Sequence, residues 1–116
     1  MALTTTGKVL AWGLNGQGQL GDGTMTSSAT PVRVKLLSGT TVRSIGAGCD
    51  HSLARTTSGR LLAWGDNHDG QLGDGTTVDA SDTPVRVKLP AGLAVIAIGS
   101  GPDGAHSLAI VRKARP

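Results

Sequence analysis

Gly7-Lys8-Val9-Leu10-Ala11-Trp12-Gly13 returns as Gly59-Arg60-Leu61-Leu62-Ala63-Trp64-Gly65, and this pair of stretches decides the fold. In an extended chain alternate residues share a face, so Leu10 joins Trp12 and Leu62 joins Trp64. Working outward, Gly18-Gln19-Leu20-Gly21-Asp22-Gly23-Thr24 recurs unchanged at 70–76. Thr30-Pro31-Val32-Arg33-Val34-Lys35-Leu36 recurs unchanged at 83–89, and His51-Ser52-Leu53-Ala54 recurs as His106 to Ala109. The copies lie 52 positions apart at the Trp, 53 at the Pro and 55 at the His, a drift that small loop insertions explain. A fixed period of this length marks a repeat architecture, whose units bury their apolar faces against one another.

Composition points away from helices. The chain has no Glu, Phe or Tyr and 18 Gly among 116 residues, with Thr and Val frequent. Gly and Thr are poor helix formers, whereas Val and Thr suit strands. The length suits one body, residues 1–116, built of a first repeat at about 7–58, a second at about 59–111 and a basic tail at 112–116. A core of two Trp with Leu, Ile, Val and Ala is thin for a unit of this size.

The net charge is +3, and all eight acids are Asp, most of them in Gly-rich turns. The bases occupy the extended runs and the tail Arg112-Lys113-Ala114-Arg115. This is the pattern of solvated strand faces and a frayed terminus. No basic run is interleaved with aromatics, so nucleic acid is not an expected partner. Cys49 is the single cysteine, which excludes an intrachain disulfide and a Cys-rich metal framework. Residues 1–7 lack a charged segment followed by an apolar run, so neither a signal peptide nor a membrane span is expected, and the location expected is cytoplasmic.

Each period reads as four extended runs separated by turns. In the second copy run a is Pro84 to Leu89, run b is Val95 to Gly99 and run c begins at His106 and ends at Val111. Run d is the Gly59-to-Gly65 type. His51 to Thr56, a turn at Thr57-Ser58-Gly59, and Arg60 to Trp64 form a hairpin. The chain therefore runs d-a-b-c-d-a-b-c, with a stub of c at Ala2-Leu3-Thr4. Four short strands per repeat predict an all-β fold of β-propeller blades, each of four antiparallel strands. Written in chain order, Pro31 to Gly65 holds one uninterrupted a-b-c-d blade, and the first d strand is left unpaired.

The combined pattern G-[KR]-[VL]-L-A-W-G-x-N-x-x-G-Q-L-G-D-G-T, T-P-V-R-V-K-L, I-G-x-G and H-S-L-A resembles the regulator of chromosome condensation repeat, twice, over nearly the whole chain. The resemblance implies a propeller; family members look like seven-bladed rings. It also implies guanine-nucleotide exchange on a small GTPase, or a chromatin-associated regulator, as an alternative function. Two repeats do not make seven blades, so the ring is expected to be completed by oligomerisation. Pairing Lys8, Leu10 and Trp12 of one chain with His106, Leu108 and Ile110 of the next removes two open edges. Such a head-to-tail contact closes by rotation or forms a filament. Three chains give six blades and four give eight, and four relieves crowding at the axis.

Several motifs invite catalytic or ligand readings. Gly16-Gln17-Gly18-Gln19-Leu20-Gly21 is a literal G-x-G-x-x-G, but Asp22-Gly23-Thr24 follows as a turn where a dinucleotide fingerprint needs a helix. Asp50-His51-Ser52 are adjacent in a strand and alternate faces, so they cannot form a relay. Asp66-Asn67-His68-Asp69-Gly70 misses the spacing of a calcium loop. No nucleophile, base and metal ligands converge, so no enzyme activity, no cofactor and no metal are expected. Trp12, Trp64, His51 and His106, at repeated positions, are expected to form the structural core, the His residues through a strand-start hydrogen bond to a neighbouring loop. The expected function is a structural and interaction module whose partners are further copies of itself and a protein bound to one loop face.

Overall fold

The structure, a computed structural model, describes residues 1–76, 78–99 and 108–113. Among these every regular element is a strand, and all pairings are antiparallel. β1 (Ala2–Leu3), β2 (Val9–Gly13) and β3 (Ser28–Arg33) make a first sheet. β4 (Val42–Ala47), β5 (His51–Thr56), β6 (Leu61–Asp66) and β7 (Ala80–Arg86) make a second, in that order. β8 (Leu93–Gly99) and β9 (Leu108–Lys113) make a third. The chain is all-β and built of propeller blades.

The β5–β6 hairpin forms where the sequence places it. Its register runs from His51↔Gly65 to Arg55↔Leu61. The turn closes through Gly59 N donating to Thr56 O at 3.1 Å and Thr56 N to Arg60 O at 3.0 Å. Ser58 and Thr56 exchange a hydroxyl contact of 2.9 Å beneath it.

The grouping of strands into blades differs from the chain-order expectation. The complete sheet reads b-c-d-a, from Val42 to Arg86, and run a pairs with the d before it. After β3 the chain leaves its sheet: Lys35 N donates to Gly21 O at 2.8 Å, and Val42 N reaches back to Gly7 O at 2.9 Å. The second copy repeats both bonds, Lys88 N to Gly73 O at 2.8 Å and Val95 N to Gly59 O at 2.9 Å. The a-to-b segment is thus a crossover between sheets. Pro31 and Pro84 fit this placement, since β3 and β7 are edge strands and an edge tolerates a missing N–H. Nor is the first d strand unpaired: β1 lies beside it through Ala2↔Leu10 and Leu3↔Val9.

Both d-to-a ladders slip register at the Trp. The shift falls between Ala11 and Gly13 in one and between Ala63 and Gly65 in the other. A bulge re-aims the side chain it carries, here the indole.

Burial is concentrated between sheets. Val9, Ala11, Leu20 and Val34 meet Val42, Ala54, Leu62 and Trp64 in one cluster. Leu53, Leu61, Ala63 and Leu72 meet Val95 in a second. Trp64 and Leu53 are fully buried, and burying side chains of this kind stabilises by about 1.5–3 kcal/mol each.

Candidate interaction surface

The d-to-a loops are shaped by a buried asparagine in each repeat. Asn15 Nδ2 donates to Thr24 O and to Thr26 O, both at 2.9 Å, while its Oδ1 accepts Leu20 N at 2.9 Å. Asn67 Nδ2 donates to Thr76 O at 3.2 Å, and its Oδ1 accepts Leu72 N at 3.1 Å. A carboxamide with two donors and two acceptor sites can hold both ends of a loop at once. Sequence reasoning did not assign these residues a role; the signal was present in the repeated Trp-Gly-x-Asn.

Aspartates close the far side of each loop. Asp74 Oδ1 accepts the Thr76 hydroxyl at 2.7 Å and its amide at 3.0 Å, and Asp22 makes the same pair with Thr24. The Thr76 hydroxyl, with its amide, holds the Asp74 carboxyl below its ordinary value, and Lys88 adds to this. For Asp22 burial pushes upward, but the bonds from Thr24 and Asn15 prevail and the net shift is downward.

The first loop docks on the second sheet. Trp64 Nε1 donates to Gln19 O at 2.9 Å, and Ser52 Oγ donates to the same carbonyl at 2.9 Å. The indole lies so close over Gly21 that a Cβ there would stand 2.7 Å from Nε1. Gly21 also has φ +69°, a conformation that Gly adopts without strain. Gly23 N donates to Asp82 O at 2.9 Å, and a Cβ on Gly18 would stand 2.7 Å from Asp82 Cα. The hydrogen bond to a neighbouring loop expected of His51 has a counterpart in its neighbour Ser52. His51 itself is 1% exposed at the start of β5.

Trp12 differs from the expectation. It is 46% exposed, whereas Trp64 is 0% exposed. The repeated sequence supplies the same side chain on the same bulge, but burial of this Trp needs a loop from the preceding blade. Leu10 lies in β2, paired with Ala2 of β1, and Lys8 directly precedes β2. Leu108 and Ile110 lie in β9, paired to β8 through Gly99↔Leu108 and Ala97↔Ile110. His106 lies outside the described residues.

The second loop carries charge that the first does not. His68 Nδ1 pairs with Asp66 Oδ1, and Asp79 Oδ1 lies 3.8 Å from His68 Nε2. The Asp66 bond and charge raise the His68 pKa above its ordinary value, with Asp79 and Asp69 adding to the effect. Burial pushes Asp66 upward, yet the bonds from His68 hold it below its ordinary value. Gln71 Nε2 donates to Asp66 Oδ2 at 3.2 Å, so both carboxylate oxygens shape the turn. In the Gly16–Gly21 loop, Gly21 N bonds Gly18 O at 3.0 Å in a turn. Among the described residues no three His, Cys, Asp or Glu side chains gather as metal ligands. Arg43, Arg55 and Arg112 line a cationic groove of about 330 Å³ between the second and third sheets.

The regulator of chromosome condensation (RCC1) repeat matches residues 6–55 and again 58–110. Human Protein RCC2 is 38% identical over 87 residues, covering 75% of this chain and 17% of that protein. The human probable E3 ubiquitin-protein ligase HERC3 is 38% identical over 104 residues, covering 89% of this chain and 10% of that one. The Arabidopsis thaliana Ultraviolet-B receptor UVR8 is 34% identical over 103 residues, 89% of this chain and 23% of the receptor. Human WBSCR16 superposes with a TM-score of 0.78 at 29% identity over 96% of this chain and 28% of its own. Yeast RCC1 (Prp20), solved with Kap60 bound to it, superposes with a TM-score of 0.78 at 27% identity over 94% of this chain and 27% of its own. The chain thus spans less than a third of the length of each of these relatives.

Proposed function

Because the chain belongs to the regulator of chromosome condensation (RCC1) repeat family, we propose that it is a non-enzymatic structural and interaction module that self-assembles into a closed β-propeller and presents its loops to protein partners. The observation that carries this reading is complementarity between the first and third sheets. The third sheet holds b and c strands, β8 and β9, while the first holds d and a strands, β2 and β3. Laid side by side, strands from two copies compose the b-c-d-a order of the intact sheet. The strand carrying Lys8, Leu10 and Trp12 would then lie beside the strand carrying His106, Leu108 and Ile110 of the next copy, in rings of three or four chains.

β1 occupies the position that β9 would take beside β2, but only over Ala2 and Leu3. The equivalent strand in the intact sheet, β5, pairs over five residues from His51 to Arg55. Exchange of a short strand for a long one extends the ladder and covers the edge, which disfavours uncontrolled edge pairing. That yeast RCC1 (Prp20) is solved with Kap60 supports the reading that such blades serve protein contacts.

Light scattering on the purified chain tests the assembly. A mass three or four times 11.7 kDa is expected; a mass of 11.7 kDa at micromolar concentration overturns it. The same sample is expected to leave nucleotide release from a small GTPase unchanged. Acceleration would favour the exchange activity implied by the family.

A further inference from the structure

We infer that Trp12 and the Gly70–Gly73 turn are the two halves of one joint between copies of this chain, the indole of one copy docking on the Gln71 backbone of the next. This rests on the self-assembly proposed above and assigns its contact residues. The joint already exists once inside the chain. Trp64 Nε1 bonds Gln19 O at 2.9 Å, its ring covers Gly21, and the Asp82 backbone covers Gly18. The loop that receives them, Gly18 to Thr24, is identical to Gly70 to Thr76. The strand that delivers the Trp, Gly59 to Gly65, is nearly identical to Gly7 to Gly13. Knob and socket are therefore each present twice, and each is engaged once.

The remaining knob and socket are both open. Trp12 is 46% exposed. A Cβ at Gly70 would meet no described atom within 4 Å, and one at Gly73 would meet only Val87 Cγ1, at 3.1 Å. At the equivalent Gly18 and Gly21 the same Cβ would run into Asp82 and Trp64 at 2.7 Å. The lower half of the joint is already built: Val95 N bonds Gly59 O at 2.9 Å, as Val42 N bonds Gly7 O. Only the contacts owed by a d and an a strand are missing from it. Setting β2 beside β9, as β6 lies beside β5, brings Trp12 to Gln71 and Ala29, which aligns with Asp82, to Gly70. One geometry thus satisfies the strand pairing and the indole contact together. The occupant is a second copy, because the parts that must fit already fit one another within one chain.

The test uses two variants that break opposite halves. Trp12→Ala removes the knob. Gly70→Asn blocks the socket, yet Asn tolerates the positive φ of 75° and has open space in the single chain. Each variant alone is expected to run at 11.7 kDa with a cooperative thermal transition by circular dichroism. Mixed, they are expected to form a dimer and nothing larger, since one good knob and one good socket remain. Variants that keep the wild-type mass overturn the joint and leave self-assembly standing. A mixture that stays monomeric overturns it as well. A monomeric wild type overturns the joint between copies and the self-assembly together. Tryptophan emission gives a check free of variants. Trp64 is buried throughout, so a blue shift that grows with concentration reports Trp12. Assembly without that shift overturns the joint.

Discussion

Two tryptophans sit on the same bulge of the same strand type and live in different surroundings. Trp64 is enclosed by a loop from the preceding repeat and donates a hydrogen bond to it. Trp12 has the same local sequence and stands half in water. The difference shows that burial in this fold is a property of a pair of repeats. A local sequence specifies which side chain is offered, and the neighbour decides whether it is received.

The comparison can be broken most directly at the indoles. Trp64→Ala is expected to cost about 3–5 kcal/mol, a large part of the ~5–15 kcal/mol that holds a domain of this kind together. Trp12→Ala, measured at concentrations where the chain is a monomer, is expected to cost about 1 kcal/mol or less, as for an exposed site. Equal shifts in the denaturant midpoint would mean that the two repeats are packed alike.

The next largest effect is expected at the loop asparagines. Asn15→Ala leaves the Leu20 amide and the Thr24 and Thr26 carbonyls without their partner, at about 1–3 kcal/mol. Asn67→Ala removes longer bonds, 3.1 and 3.2 Å, and is expected to fall at the lower end. A larger loss at Asn67 would reverse the ranking of the loops. Gly18→Asn against Gly70→Asn sharpens the contrast further. The first meets the Asp82 backbone and is expected to unfold the chain, while the second is expected to leave the monomer's thermal midpoint nearly unchanged.

The smallest effect is a pH response whose histidine limb belongs to the second loop alone. His68 has a raised pKa, so its pairing with Asp66 contributes fully below the unfolded value of 6.5 and is lost as pH rises through the folded value. Asp66 and Asp74 have lowered values, so their bonds contribute above the ordinary carboxylate range and are lost as pH falls through the folded values. The first loop has Leu14 and Gly16 where the second has Asp66 and His68, and shares only the acid limb through Asp22. A proton NMR titration is expected to place the His68 midpoint above 6.5; a midpoint below it would remove the asymmetry.

Much of the strand content was legible in the residues. The Thr57-Ser58-Gly59 turn marks a hairpin, which is local, whereas alternation over Pro84 to Leu89 points to a strand that in fact lies earlier, at Ala80–Arg86. What alternation does not encode is the neighbour of an edge strand, so the residues alone do not distinguish b-c-d-a, the order of the sheet, from a-b-c-d. Consecutive strands pair often enough to make that the default, and the crossover at Leu36 to Thr41 is an exception. The Pro at 31 and 84 was the available signal, because it suits an edge. The strand of Trp12 matches that of Trp64, and no local pattern separates the exposed indole from the buried one. Asn15 and Asn67 were legible as repeated letters but not as hubs, since their partners lie up to 11 residues away.

The crossovers have a consequence for size. Val34 to Val42 and Val87 to Val95 each advance the same eight positions, and each ends in a 2.9 Å bond to the glycine of the previous hairpin. The two steps thus share both their span and their anchor. In the closed ring proposed above, that equality would set one angle at every joint, ~60° for six blades or ~45° for eight, or the steps would wind into a spiral. Loop tips can therefore vary without changing the head count.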